Sequence, residues 1–200
     1  MDAAPDGYAT GFDATTDGSA EALDAGSADT GLGGDAAAIL IDVDGACLGI
    51  AQSLFLIEGS DWVYNGPPLF VGADAGWGVQ ITPDVTTGFP ATLMFTFGSG
   101  ANSWTAWFST SQLGVPLAVG DYPDAQRAAF AQTGHPGLDI GGQARGCDGI
   151  TGEFRVVSIS ALPATVDGSA PPELTSFTAT FRQSCSFGTP FDIGCLHFQR

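Results

Sequence analysis

The sequence predicts an all-β domain: an antiparallel two-sheet sandwich, with a jelly-roll-like variant as the near alternative, held by two disulfides. Three observations lead there. Short apolar runs recur at roughly 8–12-residue spacing, with Gly, Pro, Asp or Asn between them, which is strand-and-turn punctuation. The run 177–185 alternates with period two, Phe177, Ala179, Phe181, Gln183 and Cys185 on an expected buried face and Thr178, Thr180, Arg182 and Ser184 on an expected solvated one. The four cysteines are even in number and far apart.

The chain has 200 residues, enough for one domain with a core plus a tail. Residues 1–35 carry eight acids, no base and little beyond Ala, Asp, Gly, Ser and Thr. Only Tyr8, Phe12, Leu23 and Leu32 could enter a core, too few to offset ordering entropy, so this segment reads as a disordered acidic tether. Residues 36–200 read as the β-sandwich domain. Within it the strand-like runs are AAAILIDV (36–43), SLFLI (53–57), WVYN (62–65), PLFVG (68–72), WGVQIT (77–82), ATLMFTF (91–97) and NSWTAWFS (102–109). GLDIGG (137–142), GEFRVVSIS (152–160), ELTSFTATFRQSCSF (173–187) and CLHFQR (195–200) follow. Phe154 and Val156 alternate with Glu153 and Arg155, so 153–160 is expected to pair with 174–185 as a hairpin. Around Trp104 the alternation sends Trp104, Ala106 and Phe108 to the core and leaves Trp107 outward or under a loop. One helical piece is expected, PDAQRAAFAQTG (123–134), with Pro123 near its start and Gly134 after it.

Charge narrows the partners. There is no lysine, and 22 acids against five arginines give a net charge of −17. Phosphate recognition needs clustered Lys and Arg, so nucleic acid and anionic membranes are disfavoured. No apolar run reaches the ~18–20 residues of a membrane span, so no transmembrane segment is expected. MDAAPDGYATG lacks the basic and apolar regions of a signal peptide. The chain is therefore either cytosolic or exported by a signal removed before this numbering begins.

The cysteines favour export. Zinc sites show close pairs such as C-x2-C, whereas the shortest gap here is Cys185 to Cys195, and neither His135 nor His197 completes a set. Cys147 lacks the helix N-terminus or His and Lys neighbours that activate a thiol. Two disulfides in an oxidising compartment remain, each closure contributing roughly 3–5 kcal/mol. Cys185 ends one strand of the expected hairpin and Cys147 precedes the other, which favours Cys147–Cys185 and leaves Cys47–Cys195 to clamp the first and last strands. Cys185–Cys195 with Cys47–Cys147 stays open as the alternative.

A wider pattern runs through W104-x-A-x-F108, PLAVGDYPDAQR (116–127), PGLDIGGQARGCDGITGEFRVV (136–157) and FTATFRQSC (177–185). Over residues 50–198 it resembles an uncharacterised β-rich domain of secreted bacterial proteins. There, a G-x-Y-x-x-A-x-R step precedes a G-R-G-C-N/D turn, and a Q-x-C-E strand end follows. The matching positions are Gly120, Tyr122, Ala125, Arg127, Gly137, Arg145, Gly146, Cys147, Gly152, Phe154, Gln183 and Cys185. Ser186 stands where that pattern has an acid, and Cys47 and Cys195 look like additions, which supports pairing those two. The leader resembles the tethers of bacterial surface lipoproteins. The resemblance implies secretion or surface anchoring and a β-rich fold, and brings no activity with it.

Candidate chemistry is sparse. IDVDGA places Asp42 and Asp44 in a D-x-D-G fragment, a weak calcium candidate because Glu58 is too distant to complete the loop. No cofactor is expected beyond that candidate. GADAGWG (72–78) lacks the G-K-[ST] ending of a phosphate loop and reads as a mobile loop displaying Trp77. No G-x-S-x-G elbow occurs. Glu58, Asp61, Asp121 and Asp124 lie near aromatics, but no spacing marks a catalytic carboxylate pair, so an enzyme is not expected. Arg127 and Arg145 are expected to pair with carboxylates. Trp62, Tyr64, Trp77, Trp107 and Tyr122 sit in or beside loops rich in Asp, Asn and Gly, the mixture of apolar platform and polar rim that suits a pyranose ring. The expectation is a non-catalytic exported bacterial surface module whose partner is an extracellular glycan, a protein or itself. The alternatives are a self-assembling structural protein and a carboxylate-dependent hydrolase.

Overall fold

The computed structural model describes residues 45–165, 169–185 and 188–200. The leader (1–35), the run 36–43 and the calcium candidates Asp42 and Asp44 lie outside them.

Among the described residues, ten strands form one mixed sheet: β1 (Leu54–Ser60), β2 (Asn65–Val71), β3 (Gly78–Pro83), β4 (Pro90–Phe97), β5 (Trp104–Ser109), β6 (Gly120–Arg127), β7 (Gly137–Gly142), β8 (Thr151–Leu162), β9 (Glu173–Ser184) and β10 (Asp192–Gln199). Their order is β2-β1-β10-β9-β8-β6-β7-β5-β4-β3. Neighbours are antiparallel, except that β6 and β7 meet in parallel over two residue pairs, Gln126 with Gly137 and Arg127 with Leu138. The expected hairpin is β8–β9, with Phe154 opposite Phe181 and Val156 opposite Ala179.

The two expected layers are the two halves of this one sheet, folded so that their apolar faces meet. Phe55 of β1 packs on Phe97 of β4 and Trp104 of β5, at 4.8 and 5.3 Å between ring centroids. Phe95 of β4 packs on Phe177 of β9 and Phe198 of β10, both at 5.5 Å. These strands are far apart in the sheet order, so such contacts exist only because the sheet closes on itself. The aromatic core is tight. A Cβ on Gly142 would lie 2.1 Å from the Trp104 ring, so only glycine fits there.

Where β6 and β7 part, a side chain replaces the missing backbone pairing. Gln183 of β9 is wholly buried; its Oε1 accepts the Ile140 N–H at 2.7 Å and its Nε2 donates to the Ile140 carbonyl at 2.8 Å. Both disulfides match the favoured pairing: Cys147–Cys185 and Cys47–Cys195, with no free cysteine. Residues 45–47 are helical, and Cys47 with Cys195 and Leu56 forms a small second apolar cluster.

Three sequence expectations are corrected. Residues 123–134 are not a helix: β6 runs through Arg127, and a 3-10 turn, Ala128–Phe130, follows. Strand pairing with β8 buries Ala125 and lays Tyr122 on Phe154, which outweighs the local helix preference of Ala, Gln and Arg. Trp62–Tyr64 is loop, and β2 begins only at Asn65. The second face of β9 is not solvated throughout, since Thr178 and Thr180 are buried. Thr178 Oγ1 bonds His197 at 2.8 Å and accepts from Ser158 at 3.0 Å, while Thr180 lies in register between Arg155 and Cys195. Among the described residues no helix is long and apolar enough to cross a membrane.

Candidate functional site

A cleft of about 520 Å³ lies over the outer face of β6, β8 and β9. Its floor is built by strand register. Glu153 of β8 and Arg182 of β9 are directly opposed, as are Thr151 and Ser184. Their neighbours Phe154 and Phe181 point into the core, so strand alternation alone turns the charged pair outward.

One wall is a bulge in β6. The register with β8 shifts between Tyr122 and Ala125, and Asp124 adopts φ 54°, a left-handed conformation uncommon for a side-chain-bearing residue. The chain after β6 folds back onto this bulge. His135 Nδ1 lies 3.1 Å from the Asp124 carbonyl, Gln126 donates its N–H to the Pro136 carbonyl, and Gln132 donates its N–H to Gln126 Oε1. The other wall is 188–191, where the Gly188 N–H donates to Ser184 Oγ and the Phe191 ring lies 4.1 Å from the Arg182 guanidinium.

The pair on the floor is incompletely satisfied. Arg182 Nη1 is 3.9 Å from Glu153 Oε1, beyond hydrogen-bond reach. Glu153 Oε1 and Arg182 Nε are both buried atoms with no hydrogen-bond partner among the described residues. Both side chains are nevertheless about a quarter exposed, so the cleft presents a carboxylate beside a guanidinium while these two atoms stay covered. The cleft supplies two carboxylates, Asp124 and Glu153, against one guanidinium, with His135 and the hydroxyls of Thr151, Ser184 and Thr189 around them. The site is thus net negative, repels an anion, and presents a carboxylate beside a guanidinium. A neutral hydroxyl suits both, because it can donate to the carboxylate while accepting from the guanidinium.

The five aromatics singled out in the sequence do not gather, and none lines this cleft. Trp62 is 61% exposed, with the Arg145 guanidinium 5.3 Å from its ring. Tyr64 packs edge-on to Trp104 at 6.0 Å and donates its hydroxyl to the Pro67 carbonyl. Trp77 is not displayed on a mobile loop. It stacks on Phe97 at 4.3 Å and donates Nε1–H to the Gly72 carbonyl at 2.8 Å. Tyr122 stacks on Phe154 at 4.7 Å, and its hydroxyl both donates to the Ala118 carbonyl and accepts the Ala118 N–H. Trp107 is half-buried on the outer face of β5 opposite Asp139 and Met94, its Nε1 buried without a partner among the described residues. Four of the five thus lie partly buried, and three of those satisfy their polar tips locally.

Arg127 pairs with Asp139 at 3.1 Å as expected. Burial nevertheless holds the Asp139 carboxyl above its usual range, against the pull of Arg127. Arg145 departs from expectation: its partner is Trp62, through the ring and through a 3.3 Å bond from Nη1 to the Trp62 carbonyl. Beneath Trp62 lie two buried carboxylates. Asp61 accepts the Trp62 N–H at 2.7 Å and the Cys185 N–H, and Asp192 accepts the N–H groups of Asp61 and Tyr64 at 3.2 and 3.1 Å. Burial, reinforced by the Asp61 charge, pushes the Asp192 carboxyl up to about 7. Among the described residues no three His, Cys, Asp or Glu side chains are placed to hold a metal ion.

The sequence alternation puts Glu153 and Arg182 on the faces opposite Phe154 and Phe181 without joining them. Their opposite charges, in two strands already expected to pair, were the available signal. The bulge at Asp124 and the wall at 188–191 had none. No protein-family model matches the chain, and no curated protein and no solved structure matches it.

Proposed function

We propose that this chain is a non-catalytic, exported bacterial surface module that binds a neutral extracellular glycan in the cleft floored by Glu153 and Arg182. The observation that carries the reading is the opposed pair Glu153 and Arg182, each side chain about a quarter exposed, on the floor of a cleft of small-molecule size. Vicinal hydroxyls of a sugar offer the matching donor and acceptor without bringing charge into a mixed-charge site. Two disulfides, a lysine-free acidic surface and the resemblance to secreted bacterial β-rich domains support an extracellular setting. The test is a binding screen of the full chain against neutral polysaccharides and bacterial cell-wall glycans, with calcium and with chelator. Glu153→Gln and Arg182→Ala are each expected to weaken a hit by at least about tenfold while thermal stability is retained. A hit unaffected by both substitutions contradicts the assignment, and release of shortened saccharides would replace it with the hydrolase reading.

One observation favours a second reading, self-assembly. The sheet has two edges. β2 carries Pro67 and Pro68, which cannot donate to a further strand, whereas the run Gly78–Thr82 of β3 has neither charge nor proline. Assembly through β3 predicts a sedimentation coefficient that rises with concentration and is lost in Gln80→Pro.

A further inference from the structure

Trp62 is the exposed member of the aromatic set, and it is held with unusual firmness for a surface side chain. Leaving a tryptophan in water forgoes the free energy that its burial would contribute. The loop that presents it is nonetheless fixed from below. The Trp62 N–H and carbonyl are both occupied, by Asp61 and by Arg145. Asp61 is 4% exposed and Asp192 wholly buried, and between them the two carboxylates accept four backbone N–H groups, those of Asp61, Trp62, Tyr64 and Cys185. Spending two buried carboxylates on one short loop fixes the position of Trp62 and leaves its ring in solvent.

The same network ties this tryptophan to the cleft. One oxygen of Asp61 accepts from Trp62 and the other from Cys185. Cys185 directly follows Ser184, which lines the cleft. Cys185 is also bonded to Cys147, two residues after Arg145, and the chain from Cys147 leads to Thr151 on the cleft floor. The tryptophan and the cleft are therefore tied together at the same end of the sheet by a hydrogen bond and a disulfide.

We infer that Trp62 and Arg145 form a second saccharide contact, and that the ligand is a linear polysaccharide chain long enough to occupy the cleft and Trp62 together. The inference rests on the saccharide reading of the cleft. The Arg145 guanidinium lies over one face of the indole, 5.3 Å from its centre, which leaves the other face for the C–H face of a pyranose, and its N–H groups offer donors to ring hydroxyls. Each contact alone is weak. Linked through one ligand, the second binds at high effective concentration.

The test uses length ladders from monomer to hexamer of neutral β-1,4- and α-1,4-linked glucans and of β-1,4-linked N-acetylglucosamine, titrated into the full chain. Affinity is expected to rise at least about tenfold from the shortest bound member to the longest. Trp62→Ala should abolish that rise while leaving the shortest member's affinity unchanged, and Trp62→Phe should restore part of it. Arg145→Ala, which leaves the Asp61–Asp192 network in place, is the second variant should Trp62→Ala lose the native fold by circular dichroism. Affinity independent of length, or a rise that survives Trp62→Ala and Arg145→Ala, overturns the inference and leaves the cleft reading standing. Absence of binding by every ladder overturns both.

Discussion

Asp192 shows what a single buried group does to the whole chain. Its carboxyl titrates near pH 7 in the folded state because burial penalises the charge, with Asp61 adding repulsion. The folded chain therefore keeps a proton that the unfolded chain releases between about pH 4 and pH 7. Stability from this group is full below the unfolded value and is lost as pH rises through the folded one. The melting temperature of the wild type relative to Asp192→Asn is expected to fall from pH 4.5 to pH 7.5; thermal melts of both chains across that range check it. An unchanged slope in Asp192→Asn contradicts the assignment. Gly142 makes a steric counterpart. Gly142→Ala places a methyl against the Trp104 ring and is expected to cost about 1–3 kcal/mol in a denaturant titration.

Among the elements, β6 and β9 separate what could be read from what could not. β9 was legible because Phe177, Ala179 and Phe181 alternate without interruption, and its pairing with β8 followed from the same period. β6 was hidden because its bulge breaks the alternation between Tyr122 and Ala125, and the remaining Ala, Gln and Arg carry helix preference. The disulfides were legible from strand position, but the burial of Thr178 and Thr180 was not, since it depends on what covers the far face. Many positions that carry the resemblance serve as scaffold: Tyr122 and Ala125 pack, Arg127 pairs, and Cys147 and Cys185 crosslink. Gln183 is the sharpest case, a side chain standing in for strand pairing. Gln183→Leu leaves the Ile140 N–H and carbonyl unpaired and is expected to cost about 2–4 kcal/mol. Hydrogen exchange at Ile140, slow in the wild type, should accelerate in that variant.

At the scale of the molecule, closure of one sheet on itself and two crosslinks do the work that helices and metals do in other small domains. Cys147–Cys185 spans 38 residues and Cys47–Cys195 spans 148, so loop closure predicts about 4 and 5 kcal/mol respectively. Together they are comparable to the ~5–15 kcal/mol stability of a typical domain. Reduction under native conditions is therefore expected to unfold the chain, read as loss of the near-ultraviolet tryptophan signal; a reduced chain as stable as the oxidised one contradicts this. The fold also explains why the aromatic pattern pointed only partly to a surface. In a closed two-layer sheet, tyrosines and tryptophans at strand ends pack against the core with polar tips on nearby backbone, as Tyr64, Trp77 and Tyr122 do. The cleft needed register, bulge and returning loop together, and only the charges of its floor were visible along the chain.

Hydrogen exchange of the full chain, with and without a saturating saccharide hit from the glycan screen, locates where the ligand sits. Binding at the Glu153–Arg182 floor predicts new protection in 124–126, 151–153 and 188–191, absent from Glu153→Gln. Protection confined to other strands, or equal in the variant, would contradict it.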